Sequence, residues 1–473
     1  MTPFSGSGEL DRPLHNGQKI LAILVGTWAA AAAVTPDAVI RYALVLPPVL
    51  VLIAWWTISN PNRWLILFFG AAMLTPPLPI GSGGALHVAP LLAALGVIAG
   101  IVRISGWRPS TGALPTTLLL FLAVLTASVA LAAIYSGWTI AAGSLIRVLL
   151  FAITVYVFFY TSGGPVEFEP FFIARTLLAM GVIAAVFACV DFYYQFPAPA
   201  EFGPQFVWLE EGVFRRAQGL FYEAGVLGNF CVFFLVMIVI GLFRKEGERP
   251  CSRMALAAGG VVFSAALLFS YSRSSLLSLF VALCTFVWLE RGRARRALVV
   301  FCAFFLCATT LVHYVFPSFA GSYWERIFAS FEFIVSSPNG VLSGRITTWE
   351  KIGSFLTSQP WHALFGIGYK TLPYTNVVGE DVVGDNTYLT MLVETGIVGL
   401  AALIALHAAI LKTALRAARS LNARTSFLGA WILCFWTGEI AQMVSGDLIT
   451  YWRVLPIYFF VLGMAVRGLG TEA

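Results

Sequence analysis

Seven side chains stand out: Arg215, Arg216 and Arg273, with Glu223, Asp385 and Glu394, fall inside or near the ends of apolar runs, and Arg345 lies in the long connection between two runs. Guanidinium forks grip phosphate oxygens in pairs, and the pairing strengthens where water is scarce. Any one of these arginines could instead snorkel or pair with a neighbouring carboxylate such as Glu210, Glu211 or Glu325. Taken together, Arg215 or Arg216 with Arg273 and Arg345 favour an anionic lipid headgroup. The carboxylates offer general-base chemistry on a hydroxyl. Asp385 opens the stretch Asp385-Asn386-Thr387-Tyr388-Leu389 where an apolar run begins, so it also reads as a helix N-cap, and on the residues alone capping ranks first. Glu223 and Glu394, with Asp191 and Glu439, lie inside or at the ends of runs, where ionisable groups are costly and often functional.

The elements that must position these groups are membrane spans. Of 473 residues 59% are hydrophobic and only 11% charged, against about 25% charged in soluble domains. Fourteen apolar runs lie near 18–35, 38–58, 64–80, 86–103, 114–135, 140–161, 170–193, 219–243, 254–271, 273–290, 297–316, 386–411, 426–445 and 449–467. The expected fold is therefore an all-α polytopic transmembrane helix bundle of about 12–14 spans. Residues 1–200 are expected to supply N-terminal spans, and 201–473 the region that holds the site. The first run resembles a cleavable leader, but Glu9 and Asp11 mixed with Arg12 and Lys19 make a poor positive flank, so an uncleaved span is expected.

Basic loops orient the chain. Arg244, Lys245, Arg249 and Arg253 form one cluster, Arg291, Arg293, Arg295 and Arg296 a second, and Lys412, Arg416, Arg419 and Arg424 a third. Placing all three in the cytoplasm puts both termini inside and the seven chemical candidates outside. The net charge of +6 is thus an orientation signal rather than a nucleic-acid footprint. Seven cysteines lie mainly within apolar runs and five histidines are scattered; neither a disulfide framework nor a metal or other cofactor is expected.

The longest connection, 317–385, faces outward in this topology and carries Tyr323-Trp324, Trp349 and Trp361-His362. Loops this long are uncommon unless functional or disordered. Ser343-Gly344-Arg345 reads as a helix start, and Ile346, Trp349, Ile352 or Gly353, and Leu356 recur at helical spacing. An amphipathic helix on the outer membrane surface is expected, with Arg345 at its N-terminus. Gly366-Ile367-Gly368 reads as a turn, and Gly396 with Gly399 as a place of close helix packing.

Five stretches, in order, resemble the O-antigen ligase/polymerase superfamily of membrane glycosyltransferases. They are Arg215–Phe221 with Gly228-Asn229, Tyr271–Ser275, Ser343–Trp349, Leu364–Gly368 and Asp385–Leu400. The resemblance implies metal-independent, inverting transfer of an undecaprenyl-diphosphate-linked oligosaccharide to a sugar acceptor on the periplasmic face of the bacterial inner membrane. It maps the donor-diphosphate arginines onto Arg215 or Arg216, Arg273 and Arg345, and implies membrane lipid and a chain-length regulator or flippase as partners. Ligases of the family carry histidine where this chain has Asp385. That favours a repeat-unit polymerase of O-antigen or exopolysaccharide over a ligase acting on lipid A-core or a protein O-oligosaccharyltransferase, and leaves Glu223 and Glu394 as rival bases. A polysaccharide or lipid transporter or flippase is the reading from another class; paired broken helices or internal repeats would favour it, and the sequence displays neither.

Overall fold

The computed structural model describes residues 26–470 except 29, 31–33, 36–37, 81–83, 109, 165–167, 198–202, 210–211, 291–293, 316, 318–320, 322–323, 326–327, 329–331, 333–343 and 380–381. Most of the first apolar run, the leader-like segment, Glu210, Glu211, Arg291, Arg293, Tyr323 and Ser343 lie outside the described residues.

The chain divides into two compact units, 1–63 and 64–473. Nearly all of the first unit's described residues belong to helices, chiefly α1 (Ala38–Ser59). The second unit begins within α2 (Arg63–Leu74) and continues with α3 (Val88–Val102), α4 (Ala113–Ser136), α5 (Trp138–Gly163), α6 (Pro170–Tyr194), α7 (Ala224–Phe243), α8 (Arg253–Phe269), α9 (Arg273–Leu289) and α10 (Ala294–Val315). From the described part of the long connection α11 (Arg345–Ser358) and α12 (Pro360–Phe365) follow, and then α13 (Thr387–Ala418), α14 (Ala423–Gln442) and α15 (Leu455–Gly470). The fold is an all-α polytopic bundle. Helices α4, α5, α6, α7 and α13 are long and apolar enough to cross a bilayer, while α2, α3, α8, α9 and α15 are apolar but shorter.

Helix α7 is the axis of the core. Every residue from Val226 to Gly241 is buried, as a helix that is apolar all round must be. Phe233 packs on Trp431 and Tyr458 with ring centroids 4.4 Å apart in each pair, and the Trp431 indole N–H donates to the Phe233 carbonyl at 2.8 Å. Outer helices instead leave Leu119, Leu120, Ile146, Leu149 and Ile183 exposed, the pattern of surfaces that meet lipid rather than water.

Helix starts are chemically specified. Ser252, Ser272, Asn386 and Asn422 each accept backbone N–H bonds from the first turns of α8, α9, α13 and α14, satisfying donors the helix itself leaves unpaired.

Among the described residues two short antiparallel hairpins interrupt the helices: β1 (Leu78–Ile80) with β2 (Gly84–Leu86), and β3 (Phe206–Leu209) with β4 (Gly212–Arg215). The third apolar run stops being helical at Leu74, where Thr75-Pro76-Pro77 interrupts it and β1 follows.

Helix α13 is broken at Gly396, whose φ of 69° and ψ of −173° lie outside helical values. The break frees carbonyls that an intact helix would bond internally. Ile367 N–H takes that of Val393 at 3.0 Å, and Gly368 N–H takes that of Glu394 at 2.8 Å. A side chain at Gly366 would collide with the Glu394 carbonyl, and one at Gly396 with that of Leu364. Gly366-Ile367-Gly368 is therefore the turn that docks on the break, and Gly396 is a backbone device rather than a helix-packing residue.

The amphipathic helix forms, but its apolar face is covered by protein. Ile352 and Phe355 of α11 are buried in a cluster with Ile367, Leu372, Val382 and Val393. This corrects the expectation of a helix lying on lipid: the chain that follows it folds back over its apolar side. Gly353 is exposed and takes no part.

Candidate functional site

The hairpin β3–β4 separates the two adjacent arginines, because successive residues of extended chain point to opposite faces. Arg215 turns into the bundle. Its Nη2 lies 3.4 Å from Asp191 Oδ1 and donates to the Phe196 carbonyl at 2.7 Å. Arg216 turns the other way, its Nε donating to the Ser270 carbonyl at 2.9 Å, and lines a cavity of about 420 Å³. Arg215 is not among the residues lining that cavity.

Ser270 belongs to the tight connection that starts α9, where Tyr271 adopts a φ of 52° and Ser272 caps the helix. Ser272 and Ser274 line the cavity on either side of Arg273. Burial lowers the Arg216 pKa; Tyr451 and Glu223 pull it up, and the charges of Arg345 and Arg273 push it down. Three of the expected arginines therefore share one electrostatic neighbourhood.

Arg345 opens α11 and places its Nε 3.4 Å from Asp385 Oδ2. The capping assignment for Asp385 is overturned. Asn386 is the N-cap of α13, its Oδ1 accepting from Tyr388 N–H at 3.0 Å and Leu389 N–H at 3.1 Å. One residue earlier, Asp385 is released from the helix, and its side chain is 46% exposed at the cavity wall.

Glu223 occupies the N-cap position of α7 without capping it. Gln205 Oε1 takes the Ala224 N–H instead, at 3.0 Å, which leaves the Glu223 carboxyl facing the cavity. Crowding by protein raises its pKa, against the pull of Arg216. Glu394 also lines the cavity but is wholly buried. Its Oε1 accepts from Leu372 N–H at 3.2 Å, so it ties the Lys370–Leu372 turn to the broken helix.

Sequence reasoning did not assign the remaining polar residues of the wall. Lys370 pairs with Asp447, and Arg147 donates to the Lys370 carbonyl at 3.1 Å and to the Tyr374 hydroxyl at 2.8 Å. In the sequence Arg147 is a positive charge within an apolar run and Lys370 one in the long connection 317–385. Asp447 carried no signal beyond an acid in a short connection. The two other acids held inside spans belong elsewhere: Asp191 to Arg215, and Glu439 to Asn229, whose Nδ2 donates to Glu439 Oε2 at 2.6 Å.

Four basic and four acidic side chains thus line one cavity: Arg147, Arg216, Arg345 and Lys370, with Glu223, Asp385, Glu394 and Asp447. The wall can hold a polyanion and still offer a carboxylate to a hydroxyl. Among the described residues no group of three His, Cys, Asp or Glu could hold a metal ion.

Arg244 and Arg419, of the first and third basic clusters, lie at the other end of the bundle. Helices α7, α9 and α13 each start at the cavity, with Glu223, Ser272 and Asp385, and end at Arg244, Glu290 and Arg419. Those distal residues meet each other: Arg244 lies 3.5 Å from Glu290, and both share a second cavity with Arg419.

Residues 258–404 match the model of the family described as O-Antigen ligase, which bears out the resemblance of this part of the chain to the O-antigen ligase/polymerase superfamily. The match takes in Arg345, Lys370, Asp385 and Glu394 of the cavity wall, and Arg273, which is not among the lining residues, while Arg147, Arg216, Glu223 and Asp447 come to the cavity from outside it. No curated protein matches the chain.

Proposed function

From a chain whose residues 258–404 match the O-antigen ligase family, we propose a glycosyltransferase of the bacterial inner membrane. It moves an undecaprenyl-diphosphate-linked glycan to a sugar hydroxyl at the periplasmic end of the bundle, polymerising repeat units of O-antigen or exopolysaccharide. The observation that carries this reading is the meeting of Arg216 and Arg345 with Asp385 on one cavity wall. The meeting of Arg244 and Arg419, from two of the basic clusters, at the opposite end supports a periplasmic cavity.

In this mechanism Arg216, Arg273 and Arg345 bind the donor diphosphate. The acceptor oxygen attacks the anomeric carbon, the bond from that carbon to the phosphate oxygen breaks, and the electron pair leaves on the diphosphate. Fixed positive charge stabilises the leaving group as it forms. Asp385 takes the acceptor proton. Before the donor arrives Arg345 engages Asp385; a bound diphosphate competes for that guanidinium and frees the carboxylate to meet the acceptor hydroxyl. Attack from the face opposite the leaving group inverts the anomeric centre, and no metal is needed. Glu223 is the rival base, since its carboxyl faces the same cavity and burial raises its pKa, which strengthens it as a proton acceptor. Glu394 acts as a positioning residue.

The family's description as a ligase favours a second reading, a single transfer of finished glycan to lipid A-core. Incubating the purified protein with lipid-linked repeat units separates the two. A polymerase produces a ladder of lengths, and a ligase produces one added chain only when its acceptor is supplied.

A further inference from the structure

The arginine wall accounts for half of the cavity. The other half is built around Tyr374, which is 55% exposed but not loose. Arg147 donates to its hydroxyl at 2.8 Å and stacks its guanidinium 5.0 Å from the ring centre. The turn that carries Tyr374 is pinned a second time where Ser136 donates to Thr375 Oγ1 at 2.9 Å. A tyrosine serving as an interfacial anchor presents its hydroxyl to lipid headgroups; this hydroxyl is bonded inward, and the ring lines the cavity.

On the wall of the same cavity is the Lys370–Asp447 pair. Lys370 is held in place by a backbone φ of 58° and by Arg147 on its carbonyl, and Asp447 Oδ1 is buried without a hydrogen-bond partner. Thr390 Oγ1, on the same cavity, is likewise without one. Buried oxygens of this kind are costly unless a donor is supplied. A rigid aromatic face next to acceptors that need hydroxyl donors is complementary to a pyranose, which has an apolar face of C–H groups and a rim of O–H groups.

We propose that Tyr374, Asp447 and Lys370 form the acceptor-sugar subsite, with the ring of the sugar laid on Tyr374 and its hydroxyls donating to Asp447. This rests on the glycosyl-transfer reading and divides the cavity into a diphosphate half and a sugar half. Acceptor preference then lies with residues outside the arginine wall, and Tyr374 and Asp447 are specificity determinants rather than donor ligands.

The test is saturation-transfer NMR on the full chain in lipid nanodiscs, using a panel of methyl glycosides of common hexoses and N-acetylhexosamines. Undecaprenyl diphosphate binding is measured separately on the same samples. At least one glycoside should show saturation of its ring protons with the wild type. Tyr374→Ala and Asp447→Asn should weaken that binding about tenfold or more, while Tyr374→Phe retains it and all three variants bind undecaprenyl diphosphate as the wild type does. Retention of the lipid also reports that the variants are folded. Absence of glycoside saturation in the wild type, or glycoside binding unchanged in Tyr374→Ala and Asp447→Asn, overturns the subsite. Failure of the wild type to bind undecaprenyl diphosphate overturns the parent reading instead, and the two results are read from different signals.

Discussion

Arg345 Nε and Asp385 Oδ2 stand 3.4 Å apart, joining the first residue of α11 to the residue just before the cap of α13. The contact ties a phosphate-binding candidate to a proton-accepting candidate, and it is available because Asn386, not Asp385, caps the helix.

That division of labour can be separated by two substitutions. Asn386→Ala should cost about 1 kcal/mol of stability, visible as a lower Tm with residual activity in the surviving protein. Asp385→Asn should leave Tm close to wild type and lower the transfer rate about 10²–10⁴-fold. Asp385→His should recover part of that rate. A wild-type rate in Asp385→Asn would move the base to Glu223, where Glu223→Gln should then give the loss.

Arg215 and Arg216 are neighbours in sequence with opposite expected phenotypes. Arg216→Ala removes a charge-assisted phosphate contact of about 1.5–3 kcal/mol, so donor affinity should fall tenfold or more while abundance holds. Arg215→Ala leaves Asp191 buried and unpaired, a loss of about 3–5 kcal/mol in stability. Its signature is reduced membrane abundance, with donor affinity unchanged in the protein that folds. Binding and thermal-shift measurements on the two variants, side by side, distinguish them.

Apolar runs made the helices legible because a bilayer demands long, nearly uncharged segments, and the helix bounds follow those runs closely. The break in α13 was not legible, since Gly396 looks like any small residue in a membrane helix until Ile367 and Gly368 are seen bonding the freed carbonyls. Hairpin β3–β4 was missed because Phe206–Leu209 is a short apolar run without polar alternation. Asp385 was misplaced by one residue, as Asp and Asn side by side are both good caps. Arg147, Lys370 and Asp447 meet across hundreds of residues, and no spacing in the chain encodes that meeting.

A pH dependence follows from the sugar half of the cavity. Burial, with the nearby Arg147, pushes the Lys370 pKa down to about 8, against the pull of Glu394. Below about pH 8 the ammonium is present and its pairing with Asp447 is complete; above it the pair is lost. The acceptor KM should therefore rise as pH increases through about 8, with donor binding little changed. Glu394→Gln removes the negative neighbour that raises this pKa, disfavours the ammonium further and should move this limb to lower pH. An acceptor KM flat from pH 7 to 9 would remove Lys370 from the subsite.

The central claim is that the arginine wall holds a lipid diphosphate while its glycan is transferred. It is tested most directly by counting undecaprenyl diphosphate released per glycosidic bond formed by purified protein supplied with lipid-linked repeat units. One should be released for each bond in the wild type, and both products should be lost together in Arg345→Ala. Release without bond formation, or glycan growth that proceeds at the wild-type rate in Arg345→Ala, would contradict it.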